Sequence, residues 1–329
     1  MSERLVLTLD GSTRVCSAAL LTRRGPAATT AVDLGPGGTD WEVVARRSEK
    51  DGRGQARVLL ALVDKMLSEV GGGPGDLGAV VVGTGPGTFT GVRIAVATGR
   101  ALGLALSVPV LGVSTLAALA VTGAGGGTVD PGGPAPLLVP VVDARRDQVF
   151  FGVYEAADES SGRPGEGGRS VRRWARRGAF GVCDRDALGA VLTGHALVVA
   201  EHPGLVSGLP AGTVVVAADV QAERLVLGQR LLDEPGEAPA GRRLESWLSG
   251  MVYGAPSGTV CEGPAGMKSW GPGGERGGGR AGAPRPGDVG TPESVRPIYV
   301  RSPDADVHIT KMRDPWAADA GRGHLPRGR

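Results

Sequence analysis

Two clusters of residues in this 329-residue chain could hold an anion. The first is Asp10, Ser12 and Thr13, at a polar turn that follows Leu5-Val-Leu-Thr-Leu, where a carboxylate and two hydroxyls fall within four residues. The second is Gly83-Thr-Gly85-Pro-Gly87-Thr88-Phe-Thr-Gly91. Its glycines permit positive φ, Pro86 stiffens the path, and Thr90 is placed to cap a helix starting near Gly91. A strand, a tight turn and a helix N-terminus present free backbone N–H groups, and such a junction can take a phosphate. Asp10, Ser12, Thr13, Gly83, Gly85, Gly87 and Thr88 are therefore the candidate nucleotide or phosphate contacts. The loop lacks the Gly-Lys-Ser/Thr ending of a P-loop. Spacing alone leaves a plain strand-to-helix reversal, with Asp10 and Ser12 bonding only their own turn, equally open.

Other chemistry finds less support. The four histidines, His195, His202, His308 and His324, show no paired metal-ligand spacing, and Cys16, Cys183 and Cys261 form no metal or disulfide pattern, so no metal is expected. The formal net charge is +2, with 36 Lys and Arg against 34 Asp and Glu, which gives no electrostatic case for strong nucleic-acid binding by this chain alone. No signal peptide is evident and no apolar run approaches the length of a membrane span. A cytoplasmic protein without membrane contact is the expectation.

The elements that must position the two clusters follow from hydrophobic periodicity. Leu5 to Leu21 reads as two strands joined by the polar turn, and residues 41–47 as a third. Residues 55–70 carry Val58, Leu59, Leu62, Val63, Met66, Leu67 and Val70 at helical spacing. A buried strand at 79–82 leads through the glycine loop to a helix at 91–106, a strand at 108–111 and a helix at 114–121. Strand, strand, strand, helix, strand, helix, strand, helix is half of an actin-like, ribonuclease H-like α/β fold. A second half begins at Leu138-Val-Pro-Val-Val-Asp143, which repeats the Leu5 to Asp10 spacing before Val149 slips by one residue relative to Val15. The expected organisation is a first subdomain at 1–122, a linker at 123–136, a reduced, loop-expanded second subdomain at 137–309, and a tail at 310–329. Gly and Pro, 57 and 24 residues, make about a quarter of the chain and concentrate in insertions at 160–168 and 254–290. Arg296-Pro-Ile-Tyr-Val-Arg301 then returns to strand character.

Several of these segments resemble the bacterial TsaB (YeaZ) family. They are LTLDGSTRVCSAALL, LLALVDKML, GTGPGTFTGVRIAVATGRALGLAL, PVLGVSTLAALA, VPVVDARRDQVFFGVY and RPIYVRSPDA. The resemblance covers roughly the first 155 residues and a patch at 296–305. It implies an accessory protein, similar to a degenerate paralogue of the catalytic subunit TsaD, that supports formation of N6-threonylcarbamoyladenosine in tRNA. TsaD would be its heterodimer partner, the ATPase TsaE would join the complex, tRNA would be met through TsaD, and a homodimer would be open to the chain alone. No cofactor is required of this chain on that reading, and ATP or ADP is left open at the complex interface. The catalytic relatives hold a metal through His-x-x-x-His plus an acidic residue, and this sequence has no such pair.

The implied partner surface is built from the first two helices, with Leu59, Leu62, Val63 and Met66 on one and Arg93, Ala95, Gly99, Leu102 and Gly103 on the other. The second of these is apolar nearly all round, and its small residues allow close approach of another helix. Family members carry His-x-Glu-Arg at the head of the first helix, where this chain has Gln55-Ala-Arg57-Val58. Two other classes stay in view: a stand-alone actin-fold small-molecule kinase using Asp10 and the 83–91 loop, and a metallopeptidase-like protein, which the missing metal pair disfavours.

Overall fold

The computed structural model describes residues 4–23, 41–50, 55–124, 137–156, 174–192, 195–226, 232–233, 260–262, 268–270 and 295–300. The expected linker beyond residue 124, the 160–168 insertion, most of 254–290 and the 310–329 tail lie outside the described residues, as do the side chains of Gln55 and Arg57.

In the first half, β1 (Leu5–Asp10) pairs antiparallel with β2 (Cys16–Arg23), and β2 with β3 (Trp41–Glu49). On its other side β1 pairs parallel with β4 (Leu77–Gly83), which pairs parallel with β5 (Val110–Val113). The order is β3-β2-β1-β4-β5. β1 and β4 are central strands buried on both faces, which explains their unbroken apolar runs. Helices α1 (Gln55–Glu69) and α2 (Phe89–Leu106) cover one face of this sheet, and α3 (Thr115–Ala124) lies against the other.

The second half repeats the plan. β6 (Leu137–Arg145) pairs antiparallel with β7 (Gln148–Phe151), β7 antiparallel with β10 (Gly181–Asp184), β6 parallel with β11 (Ala196–Ala200), and β11 parallel with β12 (Val214–Ala217). Strand for strand, β10-β7-β6-β11-β12 matches β3-β2-β1-β4-β5. Two short strands, β8 (Tyr154–Ala156) and β9 (Trp174–Arg176), extend this sheet. Among the described residues its helical cover is slighter: α4 (Leu188–Val191) has four residues. α3 is sandwiched between the two sheets, with Leu116 to Ala120 almost wholly buried and Gly123 set so close to Val199 that a methyl group there would collide. This duplicated α/β architecture is the actin-like fold expected, with its second half reduced.

Two local expectations are corrected. α2 starts at Phe89 rather than near Gly91, and Thr88, not Thr90, stands at its N-cap without a side-chain cap bond. The boundary is set by tertiary contact, because the Thr88 N–H donates to the Ser12 carbonyl at 2.6 Å and pins the loop there. Residues 295–300 form no strand. Pro297 has no N–H to offer a ladder, and the segment is held instead by Ile298 N–H donating to the Thr84 carbonyl at 2.7 Å.

Candidate functional site

The β1–β2 turn and the β4–α2 loop meet, so the structure brings Asp10, Ser12, Thr13, Gly83, Gly85, Gly87 and Thr88 together. Asp10 ends β1 fully buried. Its Oδ1 accepts from the Ser12 N–H at 3.0 Å and the Ser12 hydroxyl at 2.7 Å, and its Oδ2 accepts from the Thr115 hydroxyl at 2.9 Å. The Thr115 and Ser12 hydroxyl oxygens are themselves 2.9 Å apart. Burial pushes the Asp10 carboxyl above its ordinary range, and the three hydrogen bonds act in the opposite sense. Thr13 is also turned inward: its hydroxyl donates to the Val15 carbonyl at 3.3 Å and accepts from the Val15 N–H at 3.2 Å.

The glycines are explained by close approach. A Cβ at Gly83 would overlap the Asp10 carboxylate, and one at Gly87 would overlap the Ser12 backbone. Gly85 has φ +88 and offers its carbonyl to the Thr115 N–H at 2.8 Å. Thr115, at the start of α3, thus ties both loops into one network, and its role was not anticipated because its bonds depend on a strand and a loop remote in sequence. A ligand reaching Asp10 must displace Ser12 or Thr115. Thr88 Oγ1 is buried without a hydrogen-bond partner. Among the described residues, no group of three or more His, Cys, Asp or Glu side chains is placed to hold a metal.

The equivalent turn of the second half, Arg145 to Asp147, has three successive residues at positive φ. There Asp143 accepts from Arg145 and Arg185, each at 3.4 Å, and lies 3.9 Å from Arg14 of the first turn. Beside it the Glu201 carboxylate accepts from the Asp143 N–H at 3.0 Å, and burial raises its pKa. The two turns therefore face each other across the junction of the halves.

The helix pair divides the remaining candidates. Leu59, Val63, Met66, Ala95, Gly99 and Gly103 lie in the chain's own core. A Cβ at Gly99 would overlap Val82 of β4, so these small residues seat α2 on its own sheet and offer no area to a second protein. Leu62 and Leu102 are half-buried, and Arg93 is exposed. The outward face belongs to residues absent from that set: Ala97, Ala101, Leu104 and Ala105 on α2, with Leu60 and Ala61 on α1. Leu104 is 59% exposed and Leu60 51%. Helix phase carried the missing signal, since 95, 99 and 103 form one stripe and 97, 101 and 105 another half a turn away. α2 is, among the described residues, a helix long and apolar enough to cross a membrane, at a mean hydropathy of 1.3, although its threonines, glycines and arginines break up any continuous apolar run. Its inner stripe is nevertheless packed on β4.

At the head of this face, Arg93 Nε donates to the Tyr299 hydroxyl at 2.8 Å, and its guanidinium lies 3.7 Å from the centre of the Phe89 ring. The 295–300 segment thereby reaches α2.

The family described as TsaD, tRNA N6-adenosine threonylcarbamoyltransferase, matches residues 49–178, the stretch that contains α1, α2 and the second turn. No curated protein sequence matches. Among solved structures, a Pseudomonas aeruginosa protein described as similar to the peptidase YeaZ is 22% identical, with a TM-score of 0.53 over 91% of this chain and 100% of that one. YeaZ from Pseudomonas aeruginosa is 26% identical, with a TM-score of 0.48 over 68% of this chain and 89% of that one. The match over 49–178 makes that stretch similar to the TsaD family, and the first of these structures shares the fold along its whole length.

Proposed function

We propose that this chain is a non-catalytic partner of a TsaD-type protein, required for transfer of the threonylcarbamoyl group from threonylcarbamoyl-AMP to the adenosine beside the anticodon of tRNA. The observation that carries the reading is the outer face of α1 and α2, where Leu60, Ala97, Ala101, Leu104 and Ala105 are exposed in the chain alone. An amphipathic helix is expected to turn its apolar side inward. α2 keeps apolar residues on both sides, which suits a helix covered by its own sheet within and by another protein without. Alanines at 97, 101 and 105 would let a facing helix approach closely.

The closed network around Asp10 supports an accessory role, because a kinase of this fold would need a carboxylate open to its substrate. Nucleotide, if it joins the complex, would then meet this chain at the seam with TsaD. Reconstitution tests the reading: purified TsaD, TsaE and the threonylcarbamoyl-AMP synthase should form the modified adenosine on unmodified tRNA only when this chain is added. Full activity without it, or phosphoryl transfer to a small molecule by the chain alone, would overturn the reading.

A further inference from the structure

A cavity of about 370 Å³ lies at the junction of the two halves, away from the outer face of α1 and α2. One wall is the start of β2 and the end of β3, bringing Ser17, Arg46, Arg47 and Ser48; the other is the segment after β12, bringing Asp219, Gln221 and Glu223. The cationic groups in its lining all stand on the first wall and the anionic ones all on the second. Three contacts stitch the walls together: Arg46 to Glu223 at 3.3 Å, Lys50 to Asp219 at 3.9 Å, and the Ser17 hydroxyl to the Val220 carbonyl at 3.4 Å.

The pairing leaves capacity unused. The Glu223 side chain is only 6% exposed, yet among the described residues its ion-pair partner is Arg46, 59% exposed. A carboxylate offers about four acceptor positions and a guanidinium five donors. Burying a charge with so few partners is costly unless something completes the set. Arg47 is held by Glu69 and by the Arg46 carbonyl, so Arg46, with its one described bond to Glu223, is the freer cation. The Ser48 hydroxyl and the Gln221 amide line the same space. At about 30 Å³ per water the cavity holds the equivalent of about a dozen waters, room for a small molecule, and junctions between domains are where such ligands commonly bind.

The geometry points to a binding site for a zwitterionic small molecule of the free α-amino-acid class, its carboxylate on Arg46 and its ammonium on Glu223 and Asp219. Opposite charges on facing walls select a ligand that carries both: an anion would meet Glu223, and a cation Arg46. Such a ligand bridges the two halves and stabilises the folded chain, because it binds only that state.

The test is calorimetric titration and thermal unfolding of the full chain with each of the standard free L-amino acids at about 10 mM, beside the matching amine and the matching carboxylic acid. At least one amino acid should raise the melting temperature and bind with a Kd of about 1 mM or tighter, with its amine and acid at least about tenfold weaker. Glu223→Gln should weaken that binding by about tenfold or more. Because Glu223 also joins the halves, Ser48→Trp gives a second check, filling the cavity from an exposed wall position without touching an ion pair; it should abolish binding at an unchanged melting temperature. Absence of binding by every amino acid, equal binding of the amine or the acid, or undiminished binding to Ser48→Trp would overturn the proposal. None of these outcomes depends on the TsaD partner, so the site and the docking reading can fail separately.

Discussion

The two halves share one strand order and differ in what covers it. In the first, α1 and α2, 15 and 18 residues long, lie across the β3-β2-β1-β4-β5 sheet. In the second, the described cover at the corresponding place is the four-residue α4 with Leu205 and Val206, packed into a small core of their own. The half with long helices is also the half with an uncovered apolar face. If the proposed docking holds, one copy of the duplicated scaffold would serve as an interaction platform and the other would not.

The strongest way to break this comparison is to damage the inner side of α2. Gly99→Leu forces a side chain into Val82 and should cost about 3 kcal/mol or more, read as a lower urea midpoint; a loss under about 1 kcal/mol would mean that α2 is not seated on β4 as described.

A pH series probes the turns. Asp10 and Glu201, one at each turn region, both have folded-state pKa values raised by burial. Such a group's contribution is fully present below the unfolded value, about 3.9 for Asp, and is lost as pH rises through the folded value, because the unfolded state ionises first. Wild type should therefore lose stability relative to Asp10→Asn as pH climbs from about 4, at up to about 1.4 kcal/mol per pH unit within that window. Glu201→Gln should show the same sign. A wild type that gains on Asp10→Asn over this range would contradict the buried network.

The thiols sharpen the contrast between the halves. Burial, with Asp10 and Glu49 nearby, pushes Cys16 up to about 12, and at pH 8 its thiolate is about one part in ten thousand. Iodoacetamide followed by peptide mapping should label half-exposed Cys183 before Cys16, and Cys16 only on unfolding. The smallest effect belongs to the outer stripe: Ala101→Glu should change the unfolding free energy, read from urea titration, by no more than about 0.5 kcal/mol, because the position faces solvent in the free chain.

Much of this was legible in residues. The apolar run at 79–82 and its glycines announced a buried strand and a tight reversal, since a fully buried strand admits no polar alternation. The Leu138 to Asp143 repeat foretold the second sheet. What stayed hidden depends on contacts between distant segments. Thr115 closes the Asp10 network from more than a hundred residues away, and the helix start was fixed by Ser12 rather than by any cap. The small residues of α2 were read as one docking surface, whereas Ala95, Gly99 and Gly103 face their own strand and Ala97, Ala101 and Ala105 face out. Composition cannot divide those stripes, because both are apolar; only the position of the sheet does. The Arg46 and Glu223 walls lie 177 residues apart and left no local pattern.

The most direct measurement is size-exclusion chromatography with light scattering on this chain mixed with TsaD from the same organism, run with wild type and Ala101→Glu. The account predicts a one-to-one complex with wild type and two separate peaks with the variant, whose unfolding curve stays unchanged. Wild-type peaks that do not mix at micromolar concentration, or a complex that Ala101→Glu leaves intact, would contradict it.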